Sequence, residues 1–316
     1  MKLKQICIPL MISLGLCACS KEKPKDPNQP ILVGIVQIAD NKDLTYATNG
    51  FEEALKKEFG DEEILFDVRF ANGEAKSCSE IINSFIQSDV SMIMTNGSTP
   101  LKIAKSKTDT IPIVATSVND YASTLGVSNW TGSTGTNVTG TSDRLLSLYQ
   151  ADSIRELFPV EKYKKVGFLM NEETDTIKEI KTYLKEYGYQ CESRSYKNVK
   201  ELVSFSDTCD VLYLAKDKMN TSNIKDIESI LTNLNIPVYT NDKSFCRKCG
   251  VATLSLNYYA LGYKTGQMAY QILKGEADIE SMEIQYATNF QKLINVERAN
   301  QLGIVIPKKY AVLEEN

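Results

Sequence analysis

Ile31-Leu32-Val33-Gly34-Ile35-Val36-Gln37-Ile38 holds a single polar side chain, Gln37. A continuous apolar run of this length suits a parallel strand buried on both faces, because its side chains alternate between two layers that both exclude water. Apolar residues at helical spacing follow over residues 47–59. Strand-like and helix-like stretches then alternate: strand 64–70, helix 75–87, strand 90–95, helix 100–107, strand 111–115. Such alternation implies an open parallel sheet with helices on both faces.

Between residues 120 and 143 the period is lost among Gly, Ser, Thr and Asn, which reads as a loop with room for a short strand. The alternation then restarts: strand 165–170, helix 176–187, strand 189–196, helix 198–205, strand 211–215, helix 224–234, strand 237–240. A long helix over 258–274 stops at Gly275. The pattern occurs twice, so the expected α/β fold has two Rossmann-like lobes facing each other across a cleft. The chain's 316 residues suit two such units.

Residues upstream of Ile31 read differently. Lys2 and Lys4 precede 13 uncharged residues, 6–18, too few to span a bilayer but enough for the apolar part of a signal peptide. Leu16-Cys17-Ala18-Cys19 fits the bacterial lipobox. The expectation is a signal peptide over 1–18, a lipid on Cys19 that anchors the chain to a membrane, and a Pro-rich polar tether over 19–30. Cleavage of an ordinary secretory peptide nearby is the plainer reading of the same residues.

Formal net charge is −4, which suggests no nucleic-acid surface. There is no histidine, which removes Ser-His-Asp and Cys-His catalysis and His-ligated zinc. Beyond Cys7, Cys17 and Cys19 the cysteines are Cys78, Cys191, Cys209, Cys246 and Cys249. Cys246-Arg247-Lys248-Cys249 is a CxxC whose two cations would lower a thiol pKa. It lies between strand-like segments rather than opening a helix, so a local disulfide or free thiols are preferred to redox or zinc chemistry.

In open α/β sheets ligands bind beyond the carboxyl ends of the strands. Gly97-Ser98-Thr99-Pro100 follows one strand. Ser98 or Thr99 reads as a helix cap with Pro100 at the first helical position, and the free amides there would attract a carboxylate. Ser117 lies in a polar cluster at another strand end. In the second half Asn171, Asp217 and Asp242 follow strands, and either aspartate could receive an ammonium group. An anion site on one lobe facing acids on the other would suit a zwitterion such as an amino acid. Tyr46 and Tyr258 could cover an apolar ligand part. Helix capping and turn formation use the same residue types.

Val33–Ile38 followed by Leu44 and Gly50-Phe51, Ile111-Pro112-Ile113-Val114 with Val118 and Asp120, Asn137-Val138-Thr139-Gly140 with Ser142-Asp143, Val166-Gly167 with Asn171, Asp217, Leu261-Gly262 with Gly266, and Leu302-Gly303-Ile304-Val305-Ile306-Pro307 occur in an order and spacing that resembles one family. It is that of the ABC-transporter substrate-binding lipoproteins of the type I periplasmic-binding-protein fold, in the branch that includes binders of tryptophan and other aromatic amino acids. The resemblance implies a three-crossover hinge, with crossovers near 142–146, 252–256 and 286–295. One lobe would comprise 31–143 plus about 256–288, the other 144–255 plus about 289–316. It implies a ligand site including Gln37, Leu44, Gly97, Ser98, Thr99, Ser117, Asn171, Asp217 and Asp242, to which the residues add Tyr46 and Tyr258. It implies no catalysis, cofactor or metal. The partners would be a small amino acid-like ligand, an ABC permease with its ATPase, and the membrane through the lipid on Cys19, in an extracytoplasmic setting. The chain departs from the family around the cleft: at 38–43, at Tyr121, over 172–176, at Lys218, and at Asn257 where an aspartate is common. Receptors for nucleosides, sugars or vitamins, and a surface adhesin or sensor, share the scaffold.

Overall fold

A computed structural model describes residues 29–144 and 146–314; the signal segment and Cys19 lie outside the described residues. The chain runs β1 (Ile31–Gln37), α1 (Lys42–Phe59), β2 (Ile64–Phe70), α2 (Ala75–Gln87), β3 (Met92–Asn96), α3 (Ser98–Lys107), β4 (Ile113–Val118), α4 (Tyr121–Leu125) and β5 (Val138–Ser142). It continues through α5 (Ser147–Leu157), β6 (Lys165–Leu169), α6 (Asp175–Glu186), β7 (Gln190–Arg194), α7 (Glu201–Ser206), β8 (Val211–Leu214), α8 (Lys218–Ser222), α9 (Ile224–Asn233), β9 (Val238–Thr240), α10 (Lys243–Cys249) and β10 (Ala252–Leu256). It ends with α11 (Tyr258–Leu273), β11 (Gln285–Tyr286), β12 (Phe290–Ile294), α12 (Val296–Gln301) and β13 (Tyr310–Val312).

Two sheets result. The first has the order β11-β5-β4-β3-β1-β2 and is parallel throughout; the second has the order β13-β12-β10-β9-β8-β6-β7, with β10 and β12 antiparallel. The order β2-β1-β3-β4-β5 of the first recurs as β7-β6-β8-β9-β10 in the second. Each lobe therefore reverses its winding between its first and third strands, and the crevice at such a switch point is where an open α/β sheet receives a ligand.

The opening strand shows how the pleat builds the layers. Val33 and Ile35 pack with Phe51 and Leu55 of α1 and Ala269 of α11. Val36 faces the other way, onto Ile82 and Phe85 of α2 and Leu101 of α3. Gly34 lies under the Phe85 ring: a Cβ there would sit 2.6 Å from Phe85 Cγ. The second sheet is likewise covered on both faces. At about 25 cal/mol per Å² of apolar area, this burial is the main term favouring the fold.

The chain passes between sheets after β5, after β10 and after β11. Residues 252–256 and 290–294, inside the stretches near which crossovers were expected, form β10 and β12, which pair from Ala252↔Ile294 to Leu256↔Phe290, and the chain crosses just outside them. That pairing satisfies their backbone groups and leaves short crossovers. The unparsed stretch 120–143 contains α4 and β5, and α5 and α10 add helices that the periodicity does not show.

Candidate functional site

Several polar residues at the strand ends are helix caps. Asn41 Oδ1 accepts from Leu44 N at 3.0 Å, and Asp120 Oδ1 accepts from Ser123 N at 2.9 Å. Asp217 Oδ1 accepts from Asn220 N at 2.8 Å, while its Oδ2 accepts from Asn171 N at 2.7 Å. Asp242 Oδ1 accepts from the amides of Ser244 and Phe245, and its Oδ2 takes the Lys216 ammonium at 2.7 Å. Burial would raise the Asp242 carboxyl, but Lys216 and Ser244 outweigh it and hold the group below its usual value. Both acids read as ammonium receptors from the sequence thus already hold backbone amides or a lysine.

The first lobe is arranged otherwise. Gln37 is buried at the end of β1. Its Nε2 donates to Ala39 O at 2.7 Å, and its Oε1 accepts from Thr48 Oγ1 at 2.9 Å. Asn96 Nδ2 donates to Leu44 O at 2.7 Å. These bonds tie the ends of β1 and β3 to the first turns of α1. Gly97, with φ +114°, caps α3, which begins at Ser98; Pro100 is its third residue rather than its first. The expected side-chain cap is absent, so the amides of Ser98 and Thr99 open the helix.

Four polar atoms here are buried with no hydrogen-bond partner among the described residues: Thr95 Oγ1, Asn96 Oδ1, Ser117 Oγ and Asp143 Oδ1. They lie at or near the carboxyl ends of β3, β4 and β5. An orphaned buried polar atom costs about 1–3 kcal/mol, so each of these calls for a water or a ligand as partner. Ser117 adds strain: its φ of +56° is rare for a residue with a Cβ. Burial pushes the Asp143 carboxyl up, against the Tyr258 hydroxyl, its own backbone and the Asn119 side chain, which favour the charged form.

Asp143 also lines an interlobe cavity of about 370 Å³. Asn119, Arg144 and Tyr258 join it from the first lobe and the crossovers; Met170, Ile177, Lys216 and Asp217 face them from the second. Arg144 reaches Glu179 at 3.4 Å and 3.5 Å through Nη2 only. Two roomier depressions, of about 740 Å³ beside α11 and about 650 Å³ between the starts of α1 and α10, hold none of the orphaned atoms.

Of the sequence-predicted residues, Asp217 and Tyr258 line the 370 Å³ cavity, and Tyr46 and Asp242 line the 650 Å³ depression. Gln37, Leu44, Gly97, Ser98, Thr99, Ser117 and Asn171 line neither. Sequence reasoning met Asn119 only as part of the polar cluster around Ser117 and passed over Asp143 and Arg144 as ligand groups. The strand-end rule would have found Asp143 had β5 been recognised in its Gly- and Thr-rich stretch.

Of the CxxC readings the free thiols stand, whereas the lowered thiol pKa and the place outside a helix need correction. Cys246 and Cys249 are free and buried on α10. Burial outweighs the neighbouring cations and pushes both thiols up to about 12. At pH 8 the native protein is expected to alkylate at these positions roughly a thousandfold more slowly than the denatured chain, because the thiolate is the reacting form. Equal rates, read by mass spectrometry of alkylated peptides, would contradict the burial.

The comparisons agree with the architecture. The chain is 25% identical over 273 residues to a tyrosine-binding protein of Clostridioides difficile (strain R20291), covering 83% of this chain and 78% of that one. It superposes with a TM-score of 0.79 on the ligand-free, open structure of CD0873, a substrate binding protein with adhesive properties from Clostridium difficile, at 26% identity over 89% of this chain and 98% of that one. An ABC domain in complex with L-Trp from Streptococcus pneumonia shares the fold at a TM-score of 0.65 and 21% identity, over 89% and 97% of the two chains. The model of the ABC transporter substrate binding protein family matches residues 32–315, and the chain belongs to that family.

Proposed function

We propose that the chain is a receptor for an amino acid, with an apolar or aromatic side chain, that it hands to an ABC permease. The observation that carries this reading is the buried, unpartnered Asp143 Oδ1 at the mouth of a cleft that also holds a guanidinium. Asp143 would accept the ligand's ammonium. Arg144 has donors beyond those spent on Glu179 and would take the carboxylate. Met170, Ile177 and Leu256 offer apolar surface for the side chain. This polarity reverses the sequence-based one, which set the carboxylate on the first lobe's α3 and the ammonium on the second lobe. The tyrosine-binding relative and the L-Trp-bound structure support the ligand class. A ligand touching both lobes favours closure by its differential affinity, with no chemistry on the ligand.

Family members work outside the cytoplasm. Among the described residues no helix is long and apolar enough to cross a membrane. The lipobox supports an anchor through Cys19. The adhesive properties named for the 26% identical structure support a second reading, a surface adhesin that keeps the receptor fold.

Thermal unfolding of protein from Lys21 onward, refolded to strip bound ligand, tests the two against a panel of amino acids, nucleosides, sugars and vitamins. A ligand at a hundred times its dissociation constant adds about 2.7 kcal/mol, or roughly 5 °C or more. We expect the shift with an aromatic amino acid. No shift with any amino acid would count against the receptor reading.

A further inference from the structure

The first two crossovers meet at one hydrogen bond. Asp143 directly follows β5, and Tyr258 opens α11 directly after the second crossover. The Tyr258 hydroxyl donates to Asp143 Oδ2 at 3.3 Å, and both side chains line the interlobe cavity. One carboxylate oxygen is thereby engaged from the neighbouring crossover. The other, Oδ1, is buried without a partner among the described residues.

We infer that Tyr258 is a positioning residue: by holding Oδ2 it fixes the orientation of the Asp143 carboxylate and leaves Oδ1 for the ligand's cation. The role of the ligand rests on the amino acid reading above; the hold of Tyr258 on Asp143 does not. A ligand bound at Oδ1 would then join two of the hinge's strands through a single carboxylate, which links occupancy to the angle between the lobes.

The groups around the pair fit this role. Burial pushes the Tyr258 phenol up, and Asp143, Asp43 of α1 and Asp242 at the cap of α10 push it further, so it stays a donor across the physiological range. Around Asp143, the Asn119 side chain also favours the charged form, and the buried Tyr121 hydroxyl of α4 is committed to Ala115 O and Thr141 O. The other charges lining the cavity are Arg144, Glu172, Lys216 and Asp217. Lys216 is held by Asp242, Arg144 leans on Glu179, and Asp217 caps α8. None of these makes a hydrogen bond to the Asp143 carboxylate, so the Tyr258 hydroxyl is one of few contacts that favour its charged form.

Tyr258→Phe tests the inference by two readouts. In the ligand-free protein, carbon NMR of the Asp143 carboxyl should show its titration midpoint rising by about one pH unit, since a donor to the charged form is lost. Calorimetry with L-tyrosine should show affinity falling about three- to tenfold at pH 7, with the loss on acidification starting at correspondingly higher pH. An unmoved titration, or an affinity reduced equally at every pH, would overturn the positioning role and leave Tyr258 as packing alone. A shifted titration in a protein that binds no amino acid would support the hold on Asp143 and remove the receptor reading instead.

Discussion

Asp143→Asn is expected to lower affinity for an α-amino acid by at least about a hundredfold while leaving the ligand-free protein no less stable at pH 7. A hydrogen bond between two charged groups in a closed site is worth about 1.5–3 kcal/mol, and removing one partner also leaves the ligand's ammonium unpaired. Stability should move the other way. The Asp143 carboxyl is held above its ordinary value, chiefly by burial, so its charged form costs the folded state something at neutral pH. Asparagine keeps the shape and sheds that cost. The sign of the pH dependence follows. Between the unfolded value near 4 and the raised folded value, the folded state binds more protons than the unfolded chain. This group's contribution to stability therefore grows as pH falls through that window. Ligand affinity, which needs the carboxylate, declines over the same window, above the range in which an exposed aspartate would lose its charge. Calorimetry from pH 7 to pH 4 and thermal unfolding of wild type and variant check both halves. Affinity within about threefold of wild type would remove Asp143 from the site.

The fold was more legible than the site because the two rest on different signals. Ile31–Gln37 buries both faces, and the run of apolar residues says so directly. Helix α5 is hidden because its inner face is partly polar: Gln150 is buried to accept from the Tyr213 hydroxyl at 2.7 Å, and Ser153 meets the Tyr310 hydroxyl at 2.8 Å. Its 3.6-residue apolar period is broken where tertiary hydrogen bonds replace apolar contacts. Arg298 misleads in the same way. It is buried without a carboxylate, and its guanidinium donates to the carbonyls of Leu231, Thr232 and Leu234 at the end of α9. At the site the ambiguity is chemical. The carboxylate that caps a helix and the carboxylate that receives an ammonium are the same residue type at the same strand end. Only the partner list separates Asp217, whose two oxygens take the amides of Asn220 and Asn171, from Asp143, whose Oδ1 takes none.

Among the described helix glycines, Gly262→Ala should give the largest loss of stability, about 3 kcal/mol or more. Helices α1 and α11 touch through their backbones. A Cβ on Gly262 would lie 1.8 Å from Ala47 O and 2.5 Å from Ala47 C, atoms that cannot turn aside as a side chain can. Gly50 makes the reciprocal approach, its Cβ falling 2.1 Å from Tyr259 O, and Gly266 extends the seam one turn on, against Ala54 and Phe51. Overpacking typically costs 1–3 kcal/mol when neighbours can shift; here whole helices must part. A drop in Tm of about 10 °C follows for a lobe of this size. Gly275→Ala is the control. Its φ is +70° but nothing lies within 4 Å of the added carbon, so only the backbone strain of about 1 kcal/mol applies. The two outcomes separate a steric seam from a conformational requirement, and equal losses would mean that the helices are not in backbone contact. The consequence reaches the cleft, because α1 carries Leu44, whose carbonyl holds Asn96, and α11 opens at Tyr258, which holds Asp143. At a temperature where the variant is still folded, parting the helices should therefore also weaken ligand binding, whereas Gly275→Ala, at the far end of α11, should leave it unchanged.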